Sequence, residues 1–303
     1  MNGTTELVLS ERRRGFALAL LANLVWGTAA IYWMQTQPVT PVDVLAHRSI
    51  WTLPAVFLVF WFTRRTGTTW RLLIDWSVMR VMAVAAFLIS INWGVFLYAV
   101  TSGRAADASL GYFLLPLLSV FLGAVFFGER PSPAQKIAVV FALAAVIMQV
   151  VALGGLPLVS VGLSLSFALY GVIRKRVRAD AIQGLFIEAL FLMPFGLVWA
   201  LLHDGAGLGH HGLRVDLFLM GAGAFTAVPL LSHVAAARVL PLSTVGLMSY
   251  VGPSIQLVIA LTYLGEQISV FTMLAFALVW CGLALMVLDN LRRRRQSSSK
   301  VKS

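Results

Sequence analysis

Charge is the scarcest commodity in this chain. Only 12% of its 303 residues are Asp, Glu, Lys or Arg. A soluble domain carries about a quarter of its residues as charges, so an ordinary water-facing surface is excluded. One cysteine, Cys281, rules out an intramolecular disulfide and leaves the redox compartment open. Strand-like alternation of polar and apolar residues is missing, which argues against an outer-membrane barrel. The sequence has no P-loop, HExxH, GxSxG or dinucleotide fingerprint, so ATP drive, hydrolysis and cofactor chemistry lack support; no cofactor is expected.

In their place stand long apolar runs. Residues 15–42, 81–103, 108–128, 137–173, 239–265 and 267–288 contain no formal charge, and mean hydropathy is +0.88. A helix crosses hydrocarbon in roughly 20 residues, and ten segments fit: 15–34, 43–62, 81–101, 106–127, 134–152, 156–173, 181–202, 216–237, 242–264 and 268–289. "GGLP" at 154–157 divides the longest run. The first segment follows Arg12-Arg13-Arg14 like a signal peptide, but its length and lack of a small-x-small exit mark it as an uncleaved span. The expected class is an all-α membrane protein with ten transmembrane helices.

The net charge of +11 invites a nucleic-acid reading, which its distribution opposes. With the N-terminus placed inside, twenty of the 23 Lys and Arg residues fall on the inner side. Arg104 and Arg214 fall outside, and Arg48 lies within a span. That is the bias that orients membrane proteins. The tail "RRRRQSSSKVKS" then anchors to anionic lipid, with the bilayer and no nucleic acid as partner.

"PLLSVFLGAVFFGE" (116–129) and "PSIQLVIALTYLGE" (253–266) share a leading Pro and a closing Gly-Glu at an offset of 137 residues. Carried through, the offset gives a cytoplasmic segment 1–14, five spans in 15–152, five in 153–290, and a basic tail 291–303. Five is odd, so the second half must be inverted relative to the first, a recurrent transporter plan. Pro116 and Pro253 each lack an N–H and are expected to kink their spans, freeing the carbonyls of Tyr112 and Ser249.

Two charges sit inside spans. Arg48, in "LAHRSIW", lies next to His47 and reaches either the outer headgroups or a polar cavity with Asn92, Asp107 and Tyr112. In that cavity its forked donors suit an anionic or carbonyl group, and Asp107 is its depth-matched partner. Glu188, in "GLFIEALFLMPFG", suits a cationic group or a coupled proton, or else a structural hydrogen bond. Trp93, Tyr112, Tyr170 and Tyr250 are candidate walls for a ring-bearing ligand, with Trp26 beside them. His203, His210 and His211 share a loop without metal-site spacing, so no metal is expected. His233 reads as a helix–helix contact.

The motifs "LAHRSIW", "INWGVFLYAV", "ADASLGYFLLPLLSVFLGAVFFGER", "SFALYGVIRK", "GLFIEALFLMPFG", "AVPLL", "LSTVGLMSYVGP" and "YLGE" resemble, in that order, those of the RarD proteins in the EamA-type branch of the bacterial drug/metabolite transporters. The resemblance runs from about Gly15 to Asn290. It implies two inverted five-helix EamA repeats in the inner membrane, both termini cytoplasmic, a central cavity and alternating access. It also favours efflux over uptake. His47, Arg48, Asn92, Trp93, Asp107, Tyr112, Tyr170 and Glu188 match the pattern. Leu115 and Ser249 depart from it, standing where Asn and Gln are common, which makes the pocket more apolar. The expected function is secondary transport of a small organic solute. A membrane ligand sensor or scaffold on the same fold is the alternative, and flux across sealed vesicles separates them.

Overall fold

A computed structural model describes residues 2–63, 66–128, 130–240 and 248–300. All regular structure among them is helical: α1 (Asn2–Gly27), α2 (Ala29–Met34), α3 (Pro41–Phe62), α4 (Thr66–Leu73), α5 (Trp76–Thr101), α6 (Ala105–Phe127), α7 (Pro133–Leu153), α8 (Leu158–Arg176), α9 (Ala181–Leu202), α10 (Leu213–Val239), α11 (Val251–Thr262) and α12 (Val270–Lys300). Each expected apolar segment carries helix, but the count of ten full spans is not reproduced. Eight described helices are long and apolar enough to cross a membrane: α3, α5 to α10 and α12. The first segment is divided at Thr28, between α1 and α2. The ninth yields the twelve-residue α11, and residues 241–247 lie outside the described residues, as does Glu129 of the first Gly-Glu pair.

Local chemistry explains the helix starts. Thr40 accepts from the Asp43 amide ahead of Pro41, so α3 opens with a capped first turn and a proline where no N–H is needed. Asp180 and Gln183 form a capping box at the start of α9. Both helices are 22 residues long.

The helices pack at backbone range where residues are small, the usual device when lipid removes the hydrophobic drive for association. α3 lies between α9 and α10. A Cβ on Gly196 would stand 2.6 Å from the Ala46 carbonyl oxygen, and one on Gly223 would meet the Trp51 carbonyl. α6 approaches α8 through Gly111, opposite the Ser160 carbonyl. Further contacts join α1 to α10 and α11, α5 to α8 and α9, α6 to α11, and α7 to α12. The main core gathers Trp33, Leu97, Phe113, Leu117, Leu163 and Phe276. Outside it, Phe62, Phe195, Leu201 and Leu202 are each at least 75% exposed. An apolar exterior this extensive suits lipid rather than water.

Candidate functional site

Arg48 is the eighth residue of α3, about 10 Å along the axis from its first residue at 1.5 Å per residue. Its guanidinium carbon stands 3.9 Å from the centroid of the Trp93 ring and 5.1 Å from that of Trp33. Nε donates to Thr226 Oγ1 at 3.0 Å. The cation is thus held by α2, α5 and α10 around its own helix. Among the described residues its two Nη groups have no hydrogen-bond partner, and the side chain is only partly buried. An indole face beneath a guanidinium supplies a quadrupole for the charge while leaving the planar fork free for a carboxylate or carbonyl.

The neighbouring expectations divide. Trp93 joins Arg48 directly. Tyr112 donates to Asn92 Oδ1 at 3.3 Å, and Asn92 Nδ2 donates to the Leu163 carbonyl at 2.9 Å and to Ser166 at 3.1 Å. Asn92 therefore staples α5 to α8 and steadies Tyr112 on α6. Asp107 has a different partner from the expected Arg48: Arg104, one turn away, bonds its Oδ2 at 2.9 Å. His47 turns to the loop after α9, with Nε2 2.8 Å from the Ala206 carbonyl oxygen. Tyr250, just before α11, stacks near Phe113 with centroids 6.3 Å apart.

Glu188 is likewise the eighth residue of its helix, α9, and is 0% exposed. Tyr170 donates to Oε2 at 3.2 Å, and Arg174 Nε lies 3.5 Å from Oε1. Arg174 also donates from Nη2 to the Asp180 carbonyl at 3.0 Å. Its guanidinium lies flat over Gly184, in space that any Cβ there would occupy. By the span limits read from sequence, Arg174 belongs to an aqueous loop. α8 instead runs on to Arg176, which puts Arg174 one turn below Tyr170 on the same face. That i, i+4 spacing, with Gly184 four residues before Glu188, was the available signal. Thr226 had none beyond being a hydroxyl in an apolar span.

Pro116 does lie inside α6. Pro253 falls in the first turn of α11, where a missing N–H costs no bond within that helix. Its carbonyl accepts from Ser109 at 2.8 Å, tying α11 to α6. His203, His210 and His211 each point a ring nitrogen at a backbone carbonyl. Among the described residues no three His, Cys, Asp or Glu side chains gather as a metal site. His233 packs against Trp26, ring centroids 5.3 Å apart.

A multi-helix membrane bundle with a cation and a carboxylate inside its spans fits a transporter. The comparisons agree. A family profile described as "EamA-like transporter family" matches residues 13–151 and again 155–288, and the chain belongs to that family. "Protein RarD" of Escherichia coli (strain K12) is 35% identical over 291 residues, covering 95% of this chain and 98% of the relative. "Uncharacterized transporter YojE" of Bacillus subtilis (strain 168) is 35% identical, covering 96% and 99%. "Chloramphenicol-sensitive protein RarD" of Pseudomonas aeruginosa is 32% identical, covering 95% and 98%. A solved crystal structure aligns with a TM-score of 0.62 over 92% of this chain and 98% of that one; at 19% identity it speaks to the fold alone.

Proposed function

We propose that this chain is a secondary transporter that moves a small organic solute across the bacterial inner membrane by alternating access, with efflux as its working direction. The observation that carries the reading is Arg48: a cation inside a span, stacked on Trp93, whose Nη donors have no partner among the described residues. Burying such a group is costly unless something pairs with it. An anionic or carbonyl group on the solute is the partner we assign, with the aromatic faces of Trp33 and Trp93 beside its apolar part. A lone snorkelling arginine would need no such indole platform.

The architecture we propose is two inverted five-helix repeats with both termini in the cytoplasm. Three observations support it. The family profile matches twice, once in each half. Gly128 and Gly265, 137 residues apart, both adopt positive φ, 63° and 66°, at the ends of α6 and α11. The helix contacts also exchange in pairs. α6 against α8 has its counterpart in α11 against α1, α3 against α10 in α9 against α5, and α1 against α10 in α8 against α5. Opposed halves of equal build can rock about a shared site.

The test compares cells carrying the wild-type chain or Arg48→Ala at matched membrane abundance, using untargeted mass spectrometry of medium and cytoplasm. A compound redistributed by the wild type alone is the expected result, and its flux in sealed vesicles then identifies it as substrate. Redistribution that survives Arg48→Ala would remove Arg48 from the site. A compound bound by purified protein without flux would replace transport by ligand sensing.

A further inference from the structure

Two helices of the bundle are built to one plan. α3 and α9 have equal length, side-chain N-caps at Thr40 and Asp180, a charge at the eighth residue and a proline at the fourteenth, Pro54 and Pro194. In each, the charge meets an aromatic residue of the preceding helix. Arg48 meets Trp33 and Glu188 meets Tyr170, and those aromatics are themselves 137 residues apart. If the halves are inverted, Arg48 and Glu188 stand at equal depths from opposite faces. Their surroundings differ. Arg48 is partly accessible and its Nη donors are unengaged. Glu188 is sealed, and beside it Met82, Ala85 and Ile187 are each 0% exposed, packed with Tyr170, Ile173, Val177 and Phe191. That plug joins α5 of one half to α8 and α9 of the other.

We propose that Arg174, Glu188 and Tyr170, with the apolar plug at Met82, Ala85 and Ile187, form the cytoplasmic gate of the transport path, closed in this conformation. This rests on the transport reading above. The chemistry is that of a latch. A buried ion pair at 3.5 Å, with Glu188 Oε1 lacking a hydrogen bond, offsets little more than its own desolvation, and an apolar pair would hold the helices as well. What it adds is a contact with definite partners that yields once either is drawn away. Arg174 is the fixed jaw, seated over Gly184 and held by the Asp180 carbonyl. Glu188, between Gly184 and the bend-prone Pro194, is the moving one.

The test is thiol accessibility, which needs no solute. In a Cys281→Ser background, Ala85→Cys places one reporter thiol inside the plug, and a membrane-impermeant methanethiosulfonate is applied to inside-out and to right-side-out vesicles. The parent should label slowly from the cytoplasmic face. Glu188→Ala or Arg174→Ala should raise the rate there about tenfold, with no rise from the opposite face. The exchange Glu188→Arg with Arg174→Glu should bring it back toward the parent. Unchanged rates in the single variants, equal rises from both faces, or an exchange no slower than the singles would overturn the gate. If the alanine variants do not reach the membrane, Tyr170→Phe decides: a rise of about threefold supports the gate and no change overturns it. Solute flux with unaltered labelling removes the gate alone. Gated labelling without flux for any solute removes the transport reading and leaves a conformational latch that guards no transport path.

Discussion

Removing the two halves of the Arg174–Glu188 pair should not cost the same. The Glu188 side chain is 1% exposed and that of Arg174 is 14%. In Arg174→Met the stem is replaced by apolar bulk, and a carboxylate is left in the bundle with only the Tyr170 hydroxyl at 3.2 Å. Stripping one partner from a buried pair costs about 3–5 kcal/mol, because the survivor stays desolvated. In Glu188→Gln the amide keeps its shape and its Tyr170 contact. Arg174 keeps the Asp180 carbonyl and its access to water, so the loss is nearer that of a part-exposed ion pair, about 1 kcal/mol. The double variant removes both charges together and should recover about 2 kcal/mol relative to the sum of the singles. Reversible unfolding in mixed detergent–SDS micelles at neutral pH measures all three. Glu188→Gln emerging as the worse single variant, or strict additivity in the double, would refute the assignment of Glu188 as the more deeply committed charge.

Other outcomes follow from the helix contacts. Gly223→Ala and Gly196→Ala should each destabilise by about 1–3 kcal/mol, because a methyl must part α3 from a neighbouring backbone; the same micelle titration reads this, and no loss would mean the helices separate freely. At the start of α5, Asp75 accepts from the amides of Ser77 and Val78 and from the Ser77 hydroxyl, which holds its carboxyl below the usual 3.8. A depressed native value stabilises above the unfolded pKa and is lost as pH falls through the native one. Hydrogen exchange in the first turn of α5, corrected for intrinsic rate, should therefore be protected at neutral pH and speed up in strong acid. Asp75→Ala should abolish that dependence.

Hydropathy made the spans legible because each segment's length and apolarity are properties of that segment alone. It did not reveal the division at Thr28, where Gly27 fits against Ile255 and the Gly252 carbonyl across the bundle. Nor did it place Pro253, since a proline deep in a helix and one in its first turn read alike. Arg48 was visible as a misplaced charge, but Asp107 was assigned to it by depth, whereas Arg104 is three residues away and reaches first. Arg174 was hidden in a basic run counted as loop; one extra turn of α8 turns it inward. Partner choice between helices depends on rotation about each axis, which no count of residues from a span's end supplies.

The pair α7–α12 joins the bundle through Phe276 and Trp280, which pack against Phe113. Gly282 lets the two helices approach at Ala138, Ser132 bonds Asp289 across their shared end at 2.7 Å, and neither helix carries a candidate residue. The outward side of α7 is bare: Val140, Leu143 and Val151 are each at least 59% exposed. For a molecule of 33.0 kDa, too small to align easily as single particles, this pair is the natural handle. An antibody epitope or rigid fusion built at its Ser132 end would add mass to the bundle without leaning on the residues whose movement one would want to see.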